Sequence, residues 1–209
     1  MYALDTNAAK KADSIGGSIR EIGKYIGVFT QAEDIVAASG TKGIALNFDS
    51  NGQKARLSLY TIMKDGKKIM GFDTLMAILT CMNVRGIKPV DGVVTGWDYD
   101  TGTETKKQGK IFPELCGKPI GLLLETEDYL TNSGEQKTRM SLKGVFNAET
   151  EFTATEIIDH KTKPEQLPRM VAALRHHPLK GVKKPAASTD GGMLSGDDDF
   201  GDQRMPWEQ

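Results

Sequence analysis

Residues 41–63 have the sequence TKGIALNFDSNGQKARLSLYTIM, in which Asn51-Gly52 separates two runs of alternating apolar and polar residues. An Asn-Gly pair between alternating runs is the strongest short-range signal for a β-hairpin with a two-residue turn. Such a turn fixes the register of both predicted strands. The apolar face, which belongs to the core, pairs Phe48 with Ala55, Leu46 with Leu57 and Ile44 with Leu59. The opposite face is polar and pairs Asp49 with Lys54, Asn47 with Arg56 and Gly43 with Tyr60.

The segments on either side of this hairpin predict a strand before it and a helix after it. Residues 23–40 (GKYIGVFTQAEDIVAASG) form the longer strand, with Tyr25 and Phe29 on one side. Residues 72–84 (FDTLMAILTCMNV) lose the alternation and have apolar residues at helical spacing instead. Asp73 is the predicted cap of this helix.

Two more strands are predicted at 119–130 and 137–148, and an insertion at 83–118 precedes them. The strands share an apolar face formed by Ile120, Leu122, Leu124, Met140, Leu142 and Phe146. Within the insertion, VVTGWDY and KKQGKIF flank the polar residues 100–105, which predicts a β-hairpin arm.

This order of elements predicts a mainly β protein. Three strands, a helix and two strands is the order of the oligonucleotide-binding (OB) fold, a five-stranded β-barrel. One domain is expected over residues 1–177, with Gly16-Gly17 as a flexible lead-in and a short helix at 164–177. Residues 178–209 are rich in Pro, Gly, Ser, Lys and Asp, which predicts a disordered linker and tail.

The charge of the chain is divided between its body and its C-terminus. The 209 residues contain 27 Lys and Arg against 28 Asp and Glu, a net charge of -1. Residues 196–209 contain five acids and one base, so the rest of the chain carries a net charge of +3. A body of one sign with a tail of the other indicates a binding surface and an interaction tail.

Several other classes of protein are excluded. No apolar run approaches the length of a membrane helix, and the N-terminus has no secretory signal, so we expect a cytoplasmic protein that does not bind membranes. Cys81 and Cys116 are predicted to be reduced and mostly buried, and His176-His177 to be a solvated helix end. No phosphate loop, nucleophile elbow or zinc-protease motif occurs, so we expect neither an enzyme nor a cofactor or metal site.

In the body of the chain, cationic residues are interleaved with aromatic residues. A protein that binds single-stranded nucleic acid needs both. Cations contact the phosphates, and flat side chains stack on unpaired bases for roughly 1 to 3 kcal/mol each. The open hairpin face, the first strand, the arm and the fifth strand supply them. The predicted DNA-binding residues are Lys24, Tyr25, Lys54, Arg56, Tyr60, Trp97, Tyr99, Lys106, Lys107, Lys110, Arg139 and Lys143, with the Tyr and Trp residues as stacking platforms.

The C-terminal sequence GDDDFGDQRMPWEQ combines acids with apolar anchors. Such a segment is typical of a docking peptide, whose aromatic residue fills a pocket while its acids meet a basic rim. The predicted partner-binding residues are Asp197, Asp198, Asp199, Phe200, Asp202, Pro206 and Trp207.

An OB-like body with a flexible linker and an acidic, aromatic C-terminal tip resembles the single-stranded DNA-binding proteins, in particular the compact forms encoded by bacteriophages. The chain departs from the familiar bacterial form because Glu208 and Gln209 follow Trp207. The resemblance implies sequence-independent coating of single-stranded DNA in replication, recombination or repair, inside a bacterial host. It also implies that the tail recruits replication or recombination proteins.

Two alternatives remain open. The first is an adaptor whose barrel and tail bind only proteins. The second is a nuclease or other metal enzyme that uses Asp98, Asp100 or Glu104. The sequence also leaves open a monomer or a homodimer, and whether the arm contacts DNA or a neighbouring subunit.

Overall fold

The computed structural model describes residues 17–98, 103–131 and 133–179. It is mainly β, with a curled half-barrel sheet and, in this part of the chain, three short helices. The body strands are β2 (Gly23–Val36), β3 (Lys42–Ser50), β4 (Gln53–Ile62), β7 (Pro119–Leu130) and β8 (Gln136–Phe146). Their order across the sheet is β4-β3-β2-β7-β8, and every neighbouring pair is antiparallel. The curl brings β8 beside β4, and no ladder joins these two strands in the described residues.

The β3–β4 hairpin has the register that the sequence predicts, including Phe48 opposite Ala55 and Gly43 opposite Tyr60. Asn51 and Gly52 have φ values of 52° and 86°, so both turn residues are left-handed. Asn and Gly adopt this conformation more readily than other residues, and it matches the twist of a two-residue hairpin. The side chain of Asp49 accepts a hydrogen bond from the Gly52 N–H at 2.8 Å and closes the turn.

The core lies inside the half-barrel. Phe29 and Phe48 meet edge to face with ring centroids 5.9 Å apart, and both are fully buried. Helix α1 (Met70–Cys81) packs on this core through Leu75, Ile78 and Leu79. It begins at Met70, not at Phe72, and Ile69 precedes it without a side-chain cap, so the predicted cap at Asp73 is wrong. Cys81 is buried as predicted, and burial raises the pKa of its thiol to about 12.

A β-bulge at Lys143 changes the face that the end of β8 presents. Leu142 pairs with Leu124 and Gly144 with Leu123, so Lys143 is an extra residue in the ladder. An extra residue inverts the alternation of side chains beyond it. Phe146 therefore packs with Leu123 and Leu167 in a second cluster outside the barrel, and its prediction as part of the apolar face inside is wrong.

Two more helices follow β8: the first packs on the main core through Ala154 and Ile157, and the second covers the second cluster. Helix α2 (Ala154–Ile158) has a capping box between Thr153 and Glu156, and α3 (Gln166–Ala172) contributes Leu167. The chain then forms the short strand β9 (His176–His177), which pairs in parallel with Thr126 and Glu127 of β7. The helix predicted over 164–177 therefore ends at Ala172, and the prediction of a solvated helix end for the two histidines is wrong.

The N-terminal part of the described chain also joins the sheet. Strand β1 (Gly17–Ser18) pairs in parallel with Gln53 and Lys54 at the start of β4. Ile19 follows it into the core and donates its backbone N–H to the Lys54 carbonyl at 2.8 Å. The prediction of a flexible lead-in is therefore wrong for Gly17.

The inserted arm is a β-hairpin, as the sequence predicts. Strand β5 (Val90–Asp98) pairs with β6 (Thr103–Ile111) from Val90 opposite Ile111 to Asp98 opposite Thr103. The base of the arm joins the body where Ile111 of β6 pairs with Glu33 of β2. A short 3₁₀ helix (Pro113–Leu115) then leads from the arm to β7. Within the described ranges, no helix has both the length and the apolar character to cross a membrane. The predicted tail begins before Lys180, and residues 180–209 lie outside the described residues.

Candidate nucleic-acid interface

The outer face of β4 presents a row of polar side chains to solvent. Lys54, Arg56, Ser58 and Tyr60 are exposed, and they alternate with residues that are buried in the core. Residues on one face of a strand are two positions apart, so this row spans about 20 Å. Tyr60 is 41% exposed, which leaves part of its ring free to stack on a ligand.

A groove of about 300 Å³ lies where β4 and β8 approach each other without a ladder. We call it the seam groove. Arg56 and Tyr60 line it from β4, Arg139 from β8, and Met70 from the start of α1. Ser58, Thr74 and Ser141 add hydroxyl groups and Glu127 adds a carboxylate. The seam groove is thus lined by one exposed aromatic ring and two guanidinium groups.

Gly71 fixes the distance between α1 and β4 at this groove. A Cβ atom at Gly71 would lie 1.9 Å from the Tyr60 carbonyl oxygen, so the helix backbone rests directly on the strand. Only glycine allows so close an approach. The neighbouring Met70 is 84% exposed and forms the rim of the groove.

Six of the predicted DNA-binding cations have an acidic partner. Arg56 and Lys107 both bind Glu33, at 3.2 and 3.0 Å, and Arg139 binds Glu127 at 3.1 Å. The remaining pairs are Lys110–Asp91, Lys143–Glu125 and Lys24–Glu151. Among the side chains that the structure describes, no acid lies at ion-pair distance from Lys54 or Lys106. Glu127, Glu151 and Asp91 are exposed, so a phosphate can replace these carboxylates at modest cost, whereas Glu33 and Glu125 are buried and would be left without a partner.

Lys24 and Tyr25 lie apart from the seam groove. Tyr25 is half-buried against the core and donates its hydroxyl hydrogen to the Glu21 carbonyl at 2.9 Å. Burial, with a smaller contribution from the Glu21 charge, raises the pKa of this phenol. Lys24 points to the other side of β2, where its ammonium group lies 5.2 Å from the Phe146 ring centroid. Both residues also line a separate hollow of about 390 Å³ beside the Asn51 turn.

Several predicted site residues lie where the structure gives no side-chain position. Trp97 pairs through its backbone with Glu104 in the arm, and only its backbone is described. Tyr99 lies outside the described residues, and so do the tail residues Asp197, Asp198, Asp199, Phe200, Asp202, Pro206 and Trp207. Their roles stay predictions.

His176 and His177 make hydrogen bonds with side chains of β7. His177 Nε2 and Glu125 Oε2 are 2.7 Å apart, and His176 contacts both Thr126 and Asp128. The hydrogen bond from Thr138, followed by contacts with His176 and Gln136, lowers the pKa of Asp128. In the part of the chain with described side chains, no group of three or more His, Cys, Asp or Glu could hold a metal ion. The side chains of Asp98, Asp100 and Glu104 are outside that part.

A second groove, of about 440 Å³, separates the outer face from the arm. We call it the arm groove. Thr30, Asn47, Lys54 and Arg56 line it from the body, and Thr95 and Gly96 from β5. Arg56 lines both grooves, so the two grooves are adjacent. The sequence places Asn47 opposite Arg56 on the polar hairpin face, but it gives no signal that the arm lies beside them.

No protein-family model matches the chain, and no curated protein sequence matches it either.

Proposed function

We propose that the protein is a non-enzymatic, sequence-independent single-stranded DNA-binding protein. The observation that carries the proposal is the seam groove, which is lined by the exposed Tyr60 ring and by Arg56 and Arg139. An unpaired base can stack on an exposed tyrosine, whereas a base inside a duplex has no free face. Arg56 and Arg139 line the same groove, and their guanidinium groups would bind phosphates of the same strand.

The proposed contacts explain why binding should depend little on sequence. Every base has a flat face, so stacking on Tyr60 does not distinguish one base from another. Arg139 would exchange Glu127 for a phosphate oxygen, and Arg56 would bind phosphate with the donors that its contact with Glu33 leaves free. Lys54 would add a third cation along the same face. These contacts position the strand but carry no sequence information.

The arrangement of the body strands supports an OB-like fold for this function. The order along the chain is three strands, a helix and two strands, with the arm inserted before the fourth. The half-barrel order β4-β3-β2-β7-β8, with its open seam between β4 and β8, fits a partly open five-stranded barrel. In the proposal, the acidic tail recruits replication or recombination proteins and the body holds the DNA.

A salt series with labelled oligothymidine tests the proposed function. Contacts from Lys54, Arg56 and Arg139 to three phosphates predict that log K falls with log [salt] with a slope of about -2, since each single-strand contact contributes about 0.7. A duplex of the same length should bind far more weakly. Equal affinity for duplex would contradict the proposal.

A second comparison separates DNA binding from the adaptor function. A variant lacking residues 196–209 should keep or gain affinity for oligothymidine, because it loses a net charge of -4. If neither the full chain nor this variant binds oligothymidine at any salt concentration, the protein is not a DNA-binding protein and the adaptor function is favoured.

A further inference from the structure

The arm is fastened to the body by the side chain of Gln31. The backbone N–H of Thr95 donates to Gln31 Oε1 at 2.9 Å, and Gln31 Nε2 donates to the Thr95 carbonyl at 3.2 Å. One carboxamide therefore satisfies both backbone groups of a residue in β5, as a neighbouring strand would. The contact joins residues 64 positions apart and holds β5 beside β2.

Glu33 makes a second connection between the arm and the body. Its side chain is only 7% exposed, and it binds Lys107 of β6 and Arg56 of β4. Val94 of β5 is fully buried, which shows that this part of the arm packs against other residues. The amide pair at Gln31 and the ion pairs at Glu33 together fix the position of the arm beside the outer face.

The space that this arrangement leaves is open and polar. Among the atoms that the structure describes, none lies within 4 Å of a Cβ atom placed on Gly96, so the described part of the β5 wall of the arm groove is unobstructed there. Across the groove, the carboxamide of Asn47 has no hydrogen-bond partner among the described side chains and backbone. Its donors and acceptor can therefore bind a polar ligand such as a nucleobase edge or a phosphodiester.

We propose that the arm groove is a two-walled channel for one unpaired nucleic-acid strand, and that Gln31 is the positioning residue that holds β5 in place as its second wall. This inference rests on the proposed function. The strand enters the channel from the seam groove, past Arg56, and lies between Asn47 and the β5 backbone. A strand held on two sides leaves more slowly than one held on an open face, so the arm acts mainly on the dissociation rate.

The variant Gln31→Met tests the channel, because methionine has a similar length but cannot form the amide pair. Two quantities are measured: hydrogen exchange at the Thr95 amide without DNA, and dissociation of labelled oligothymidine by stopped flow. We expect faster exchange at Thr95 and dissociation faster by about fivefold, with an association rate that is nearly unchanged. Gln31→Asn keeps the amide but is one methylene shorter, so it should change both quantities in the same direction as Gln31→Met. It replaces Gln31→Met in the test if that variant fails to fold.

Gln136→Met is the matched control. It makes the same chemical change on β8, where the Gln136 amide binds Asp128 at 3.0 Å, and it should alter neither quantity. If the wild type binds oligothymidine but Gln31→Met releases it at the wild-type rate, the channel is overturned and the proposed function stands. Unchanged exchange at Thr95 would overturn the role of Gln31. If the wild type does not bind oligothymidine, both the channel and the proposed function are overturned.

Discussion

Replacing Tyr60 with alanine is expected to weaken binding to oligothymidine by roughly 5- to 150-fold, the equivalent of losing one base stacked on an aromatic ring. The side chain is 41% exposed and lies on the outer face of β4, so its loss should not open the core. Because tyrosine is uncharged, the slope of log K against log [salt] should stay at its wild-type value.

Two further variants separate the contribution of the ring from that of the charges. Tyr60→Phe keeps the ring and removes only the hydroxyl group, so it should bind almost as tightly as the wild type. Arg56→Gln should instead reduce the steepness of the salt dependence by about 0.7, the contribution of one phosphate contact. Equilibrium fluorescence titrations at several salt concentrations measure both effects. If Tyr60→Ala binds oligothymidine as tightly as the wild type, the seam groove does not hold a base.

The exposure of Tyr60 could be predicted from sequence because its cause is local. The Asn51-Gly52 turn fixes the register of both strands, and the side-chain period of two then assigns each residue to a face. The same reasoning correctly places Lys54 and Arg56 on the polar side. It applies to the hairpin as a whole because no bulge interrupts the ladder from Gly43 to Ser50.

The features of the fold and of the candidate site that could not be predicted from sequence depend on contacts between residues that are distant along the chain. The bulge at Lys143 leaves no mark in the composition of β8, yet it moves Phe146 to the opposite face. Similarly, the period of β2 does not show that Glu33 binds both Arg56 and Lys107, since those residues lie on other strands. Counting cations along the chain therefore overestimates how many are free to bind phosphates.

Glu156 has the most unusual electrostatic environment among the described acids. It is 2% exposed, and burial alone would favour its neutral form. Three backbone N–H groups, those of Thr153, Gln166 and Glu165, and the Thr153 hydroxyl donate to its carboxylate and outweigh burial. They hold the pKa at about 2, below its ordinary value of 4.5. The carboxylate thereby joins the start of α2 to the start of α3, which covers the second cluster.

Glu156→Gln is expected to lower the free energy of unfolding by about 3 kcal/mol at pH 7, because the amide cannot accept all four hydrogen bonds and its NH₂ group opposes the donors. A carboxyl whose pKa is lower in the folded protein stabilises it above the unfolded pKa, and this contribution is lost as pH falls. The difference between wild type and variant should therefore be constant above about pH 5.5 and shrink as pH falls through 4.5 towards 2. Urea titrations at several pH values measure this difference in unfolding free energy.

Asp128, whose pKa is also lowered, contributes equally to the stability of both proteins, so its contribution cancels in the difference. Glu149→Gln, at an exposed carboxyl, is the control and should match the wild type throughout. A difference that did not change between pH 7 and pH 3 would show that packing, not the ionised carboxylate, holds α2 and α3 in place.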